Sequence, residues 1–188
     1  MKHIPALVFL AFISIAVAVN AEQLHRVDPN TQAETWETKV HGVTFSLTQI
    51  MPDQARAFYV NRGFTLEQIE PFATACIYMT VLRNDDAPAA IKYQLSDWSI
   101  KIGDDARPPL STADWMEQLK AESVKKPALI AFRWAQFPPE QEYEPGGDWN
   151  QGMLTTGLPP GARFDAVARW TMNEKIYEGI LRNVHCAK

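Results

Sequence analysis

The sequence predicts an α+β or decorated all-β domain, mainly antiparallel sheet in about six strands, sandwich-like in its all-β form, with three short helices. Three observations carry this expectation. The strand-like runs follow one another through hairpins or irregular links, without regular strand–helix–strand alternation. Two pairs of runs fold into hairpins whose registers separate apolar from polar residues. The helical stretches between them are short and bounded by capping residues, Pro or Gly.

Before any strand comes a segment that reads as a secretory signal. Lys2 supplies the positive start, Ile4 to Val19 is apolar apart from Ser14, and Val19-Asn20-Ala21 offers small residues for cleavage. Residues 1–21 are therefore assigned to the signal peptide, with cleavage after Ala18 as an alternative site. The apolar run contains Pro5 and falls short of the roughly 20 residues that a spanning helix needs. No stable membrane insertion is expected once it is removed. Its loss leaves 167 of the 188 residues, a usual size for one domain. Residues 22–34 lack apolar periodicity and read as a mobile lead-in, and 35–188 as a single globular domain.

The first hairpin joins 35–40 to 43–49 at His41-Gly42, residues suited to positive φ. Folding there pairs Val40 with Val43, Thr38 with Phe45 and Trp36 with Leu47 on one face, and Lys39 with Thr44 and Glu37 with Ser46 on the other. Pro52 to Arg62 reads as a helix ended by Gly63, and Thr65 with Gln68 opens a second that Pro71 limits. Ala75 to Arg83 is dense in β-branched and aromatic residues, as in a buried strand. In Ile91 to Ile102 the apolar residues change phase at Ser96-Asp97, which predicts a β-bulge. Gly103 to Pro109 is expected as a loop, and Ser111 with Asp114 opens a third helix that ends before Pro127. Ala128 to Phe137 is expected as a strand leading into a long loop, Pro138 to Met153. Arg163 to Met172 and Lys175 to His185 form the second hairpin, with Trp170 opposite Tyr177, Ala168 opposite Gly179, Ala166 opposite Leu181 and Phe164 opposite Asn183. Its other face sets Arg169 against Glu178 and Asp165 against Arg182.

The net charge is −4, or −5 once Lys2 is lost, and the nearest thing to a basic cluster, Lys120, Lys125 and Lys126, is interrupted by Glu122 and reads as a solvated helix end. This composition argues against nucleic acid as a partner. Cys76 and Cys186 are the only cysteines, 110 residues apart, and export favours a disulfide between them over two unpaired thiols. Their spacing excludes a CxxC redox pair.

Signature motifs of catalysis are absent: no GxSxG, HExxH, phosphate-binding glycine loop or GxGxxG occurs. This favours a non-catalytic protein with no catalytic residue to name and no cofactor. Cys76 as a nucleophile with His185 or His41 as base competes poorly with the disulfide. His25, His41 and His185 lie far apart and the methionines are scattered on apolar faces, so no metal ligand set, copper included, stands out. Glu140, Glu142, Glu144 and Asp148 are acidic without the alternation of a calcium loop.

The candidate binding surface is the long loop with its flanks, namely Phe137, Tyr143, Asp148, Trp149 and Met153. Rings on a long loop offer area at little rotamer cost, although such a loop can also fold back over its own rings. The expected role is an exported, periplasmic or secreted accessory or assembly protein that binds an envelope or secreted protein partner through this loop. The alternatives are a module for a small ligand such as carbohydrate, copper or calcium, and a hydrolase using Glu144 and Asp148 as its carboxylate pair.

Overall fold

The computed structural model describes residues 22–188, so the signal segment at 1–21 lies outside the described residues. These form eleven strands, four α-helices and a single 3-10 turn. They are β1 (Gln23–Val27), β2 (Glu34–Val40), β3 (Val43–Ile50), α1 (Pro52–Val60), α2 (Leu66–Ala73), β4 (Ile77–Asn84), β5 (Ile91–Gln94) and β6 (Ser99–Ile102). Then follow β7 (Asp105–Arg107), α3 (Thr112–Ala121), α4 (Lys126–Ala135), β8 (Glu140–Tyr143), β9 (Asp148–Thr155), β10 (Arg163–Met172) and β11 (Lys175–His185). The sheets are antiparallel, in keeping with the α+β class.

One sheet has the order β1-β2-β3-β4-β9. The second runs β7-β6-β10-β5-β8, with β11 on the other side of β10. The β2–β3 hairpin has every pair expected of it, because His41 and Gly42 take φ of 49° and 82° and hold a two-residue turn. Strict alternation then sends Trp36, Phe45, Leu47, Tyr78 and Leu82 to the face that meets the second sheet, where Ile91, Trp98, Phe164, Ala168 and Leu181 are buried. Phe45 packs edge-on to Trp98 at 5.1 Å and Tyr78 to Phe164 at 5.8 Å. One end of the outer face of the first sheet, around Ile50, Ile77 and Met153, is covered by the helices through Tyr59, Phe72, Trp115 and Phe132.

Several elements differ from expectation. The lead-in at 22–34 contains β1, which pairs with β2 from Gln23↔Thr38 to Val27↔Glu34. Its side chains stay largely exposed, so sequence periodicity could not reveal a strand held by backbone bonds at a sheet edge. The expected bulge at Ser96-Asp97 is a 3-10 turn, Leu95–Asp97, that separates β5 from β6. Gly103 to Pro109 includes β7. Ala128 to Phe137 is helix α4 up to Ala135, not a strand: Pro127 sits in its first turn, where a missing N–H costs nothing, and Ala128 and Phe132 bury one stripe. In the second hairpin Asn173 and Glu174 take φ of 49° and 63°. The register holds to Ala166, after which a bulge sets Phe164 opposite Val184 rather than Asn183.

A disulfide joins Cys76 to Cys186 and so ties the start of β4 to the end of β11. Beside it the Tyr78 hydroxyl and the Gln49 amide both donate to the His185 carbonyl, each at 2.7 Å. The link closes a 110-residue separation. Replacing both cysteines with Ala should lower the unfolding free energy by about 3–5 kcal/mol, read from urea titration of the oxidised and variant proteins.

Asp85, at the β4–β5 turn, provides a pH marker. Partial burial raises its carboxyl pKa, but hydrogen bonds from Arg83 and Thr44 outweigh that and hold it below the ordinary value of 3.8. A lowered folded pKa stabilises above the unfolded value, and the contribution disappears as pH falls through the folded one. Asp85→Asn should therefore cost about 1–2 kcal/mol at neutral pH, and the gap to wild type should close as the pH falls below about 4. Thermal midpoints measured across that range give the comparison.

Candidate functional site

The stretch expected as a loop, Pro138 to Met153, forms β8, a short turn and the first six of the eight residues of β9. β8 pairs with β5 in the second sheet, from Ile91↔Tyr143 to Gln94↔Glu140, and β9 pairs with β4 in the first, from Asn84↔Asp148 to Ile77↔Thr155. The chain therefore crosses from one sheet to the other between Tyr143 and Asp148. Asn84, fully buried, fixes that crossing by donating to the carbonyls of Tyr143 (3.0 Å) and Ala89 (3.1 Å). The N–H groups of Gly146 and Gly147 donate to the carbonyls of Asp85 and Asn84 at 3.1 and 2.7 Å.

This arrangement divides the five candidate residues. Phe137 and Tyr143 lie between the sheets, within 5.5 and 5.7 Å of the Tyr93 ring. Burial pushes the Tyr143 phenol above its ordinary range, and its hydroxyl lies 3.3 Å from that of Tyr93. Met153 is buried under the helices, where its sulfur accepts from the Tyr59 hydroxyl at 3.2 Å. Asp148 is exposed and accepts from the Glu144 N–H at 3.1 Å. Trp149 alone of the aromatic candidates reaches solvent, at 48% exposure.

What the strand exposes besides that indole is backbone. The carbonyls of Met153 and Thr155 point away from β4, since they accept from the N–H groups of Phe137 (2.9 Å) and Leu110 (3.0 Å). Because a strand alternates with period two, Gln151 and Trp149 direct their N–H and C=O groups to the same side. After Phe137 the chain leaves this edge for β8, and among the described residues no hydrogen bond meets those four groups. The β9 edge is thus closed at Met153 and open at Trp149 to Gln151. A sequence signal for the closed part does exist. Gly152, inside a strand, would place a Cβ 2.4 Å from the Phe137 nitrogen, and a strand glycine often marks such a close backbone approach.

Two concavities lie elsewhere. A groove of about 1420 Å3 runs over the outer face of the second sheet, where β5 and β6 diverge beside β10. Ion pairs Lys92–Glu142 (2.8 Å) and Arg169–Glu178 (2.6 Å) cross its lining, and the buried Ser99 hydroxyl has no hydrogen-bond partner among the described residues. A smaller hollow lies over β1 and β11. There the Glu34 carboxylate bridges His25 (2.6 Å) and His185 (2.7 Å), with the His25 ring stacked 5.0 Å from Trp36. His25 and His185, far apart in sequence, are brought together there by β1 pairing and the disulfide corner. Among the described residues no group of three or more His, Cys, Asp or Glu could hold a metal ion. His41 serves the first turn, with its ring edge-on to Tyr177 at 4.9 Å. The Cys76 thiol is consumed in the disulfide, and Glu144 and Asp148 are exposed and line neither concavity.

No protein family, curated protein or solved structure matches this chain. Substitution separates packing from surface roles within the candidate set. Tyr143→Ala should cost about 3–5 kcal/mol, as for a large buried ring, whereas Trp149→Ala should shift stability by less than about 1 kcal/mol. Urea denaturation of the two variants provides the test.

Proposed function

We propose that this protein is an exported, non-catalytic accessory protein that captures an extended segment of a partner protein along the open edge of β9, with Trp149 as the anchoring side chain. The observation that carries this reading is the unpaired backbone of Trp149 and Gln151 beside a half-exposed indole. An open edge is a template for strand addition: its N–H and C=O groups give affinity to any extended backbone, and a flanking ring supplies selectivity. Tryptophan is among the residues most often found to dominate such contacts, at about 2 kcal/mol or more. Export is supported by the signal-like pattern of residues 1–21 and by a disulfide that suits an oxidising compartment.

A carbohydrate site has less support. The rings that line the large groove, Tyr93, Trp98 and Trp170, are buried and leave no open face for stacking on a sugar.

The test is capture with a photocrosslinking residue placed at Asn150, applied to the exported fraction. Gln151→Pro removes one outward N–H while leaving the side of β9 that bonds β4 intact, a change that an edge strand tolerates. It should reduce recovery of the crosslinked partner about tenfold or more, and Trp149→Ala about 30-fold. The control Ile176→Ser, at the exposed start of β11, should capture normally. Unchanged capture by both β9 variants, with thermal midpoints equal to wild type, would falsify the edge as the site.

A further inference from the structure

Helix α4 presents a second surface, unrelated to the β9 edge in chemistry. Its inward stripe is Ala128 and Phe132, the latter packed on Tyr59, Phe72 and Phe64. At 100° per residue the opposite arc carries Arg133, Lys126, Ile130 and Trp134 in that order around the axis. All four are exposed, Ile130 at 49% and Trp134 at 84%, the largest value among the exposed large hydrophobic side chains of the described residues. From Lys125 to Ala135 the sequence holds three cations and no acid, in a chain whose net charge is −4.

We propose that this face of α4 docks on an anionic lipid surface, with Trp134 and Ile130 entering the headgroup layer and Lys126 and Arg133 facing lipid phosphates. Charge complementarity favours lipid over protein as the occupant. The centre of a protein interface is depleted of lysine, whereas a negatively charged bilayer attracts clustered Lys and Arg and accepts an amphipathic indole at its boundary. Neither concavity described above is lined by a residue of α4. At ten residues α4 spans about 15 Å, half the hydrocarbon thickness, so it lies along a membrane and does not cross it. No helix of the described residues is long and apolar enough to cross.

The test uses residues 22–188, which carry both buried cores, so that the apolar segment at 4–19 cannot contribute. Co-sedimentation is measured with vesicles of mixed phosphatidylglycerol and phosphatidylcholine, and with phosphatidylcholine alone. Binding is expected only to the anionic vesicles and should weaken as salt is raised. Trp134→Ala should reduce it about tenfold or more, and the double variant K126E/R133E should abolish it. In a Trp149→Phe background, bound vesicles should shield Trp134 from a soluble quencher, since Trp36, Trp98, Trp115 and Trp170 are already buried. Gln151→Pro should bind vesicles as wild type does, so this result and partner capture at β9 can fail separately. Absence of binding at low salt, or binding undiminished in both α4 variants, overturns the proposal. So does a protein crosslinked through position 134 by a chain that leaves vesicles unpelleted.

Discussion

Two sheets that share no strand have to be held face to face, and the corner at Cys76–Cys186 is where this chain fixes them. Cys76 immediately precedes β4, an inner strand of the first sheet, and Cys186 immediately follows β11 in the second. The corner is more than one covalent bond. Tyr78 and Gln49 converge on the His185 carbonyl, Glu34 reaches the His185 ring, and the Gln23 side chain both donates to and accepts from the Arg182 backbone. Side chains of β1, β2, β3 and β4 thereby occupy hydrogen-bonding groups along the last turn of chain, where an eleven-residue strand would otherwise present a bare edge.

Once β11 is placed, β10 follows through their ladder, and β5 and β6 take positions along the other side of β10. The aromatic layer between the sheets then has one way to close. Tyr93, Trp98, Phe137 and Tyr143 pack ring against ring, which draws β8 onto the second sheet while β9 stays with the first. The crossing between β8 and β9 is a consequence of this core and not a free loop. Its anchoring by Asn84 satisfies backbone groups that would otherwise be buried unpaired.

The surfaces left over acquire meaning from how completely the rest is satisfied. The β9 edge is occupied by Leu110 and Phe137 at one end and by no described residue at Trp149 and Gln151. Helix α4 buries one stripe in a core of five aromatic rings and leaves an indole in solvent on the other. In a protein that hides Trp36, Trp98, Trp115 and Trp170, an exposed Trp134 and a half-exposed Trp149 are departures from its own pattern. Both departures sit on regular elements, which hold a contact geometry better than loops do.

Legible in the residues alone were the class of the fold, the first hairpin, the second as far as the bulge at Phe164, the capped helices α2 and α3 and the pairing of the two cysteines. These follow from local rules: alternation with period two, turn residues that accept positive φ, capping boxes and the compartment in which thiols oxidise. Tertiary structure decided the remainder. A run such as Ala128 to Phe137 is apolar enough for strand or helix, and its one-sided burial against Tyr59 and Phe72 selects the helix. β1 has no apolar face to announce it, and the stretch from Pro138 to Met153 shows its strands only when β5 and β4 supply their partners. The same holds for the site. Tyr143 and Trp149 have similar standing in the sequence, and only the packing of two sheets buries one ring and exposes the other. Burial and an open sheet edge are properties of neighbours distant along the chain, so no local pattern encodes them.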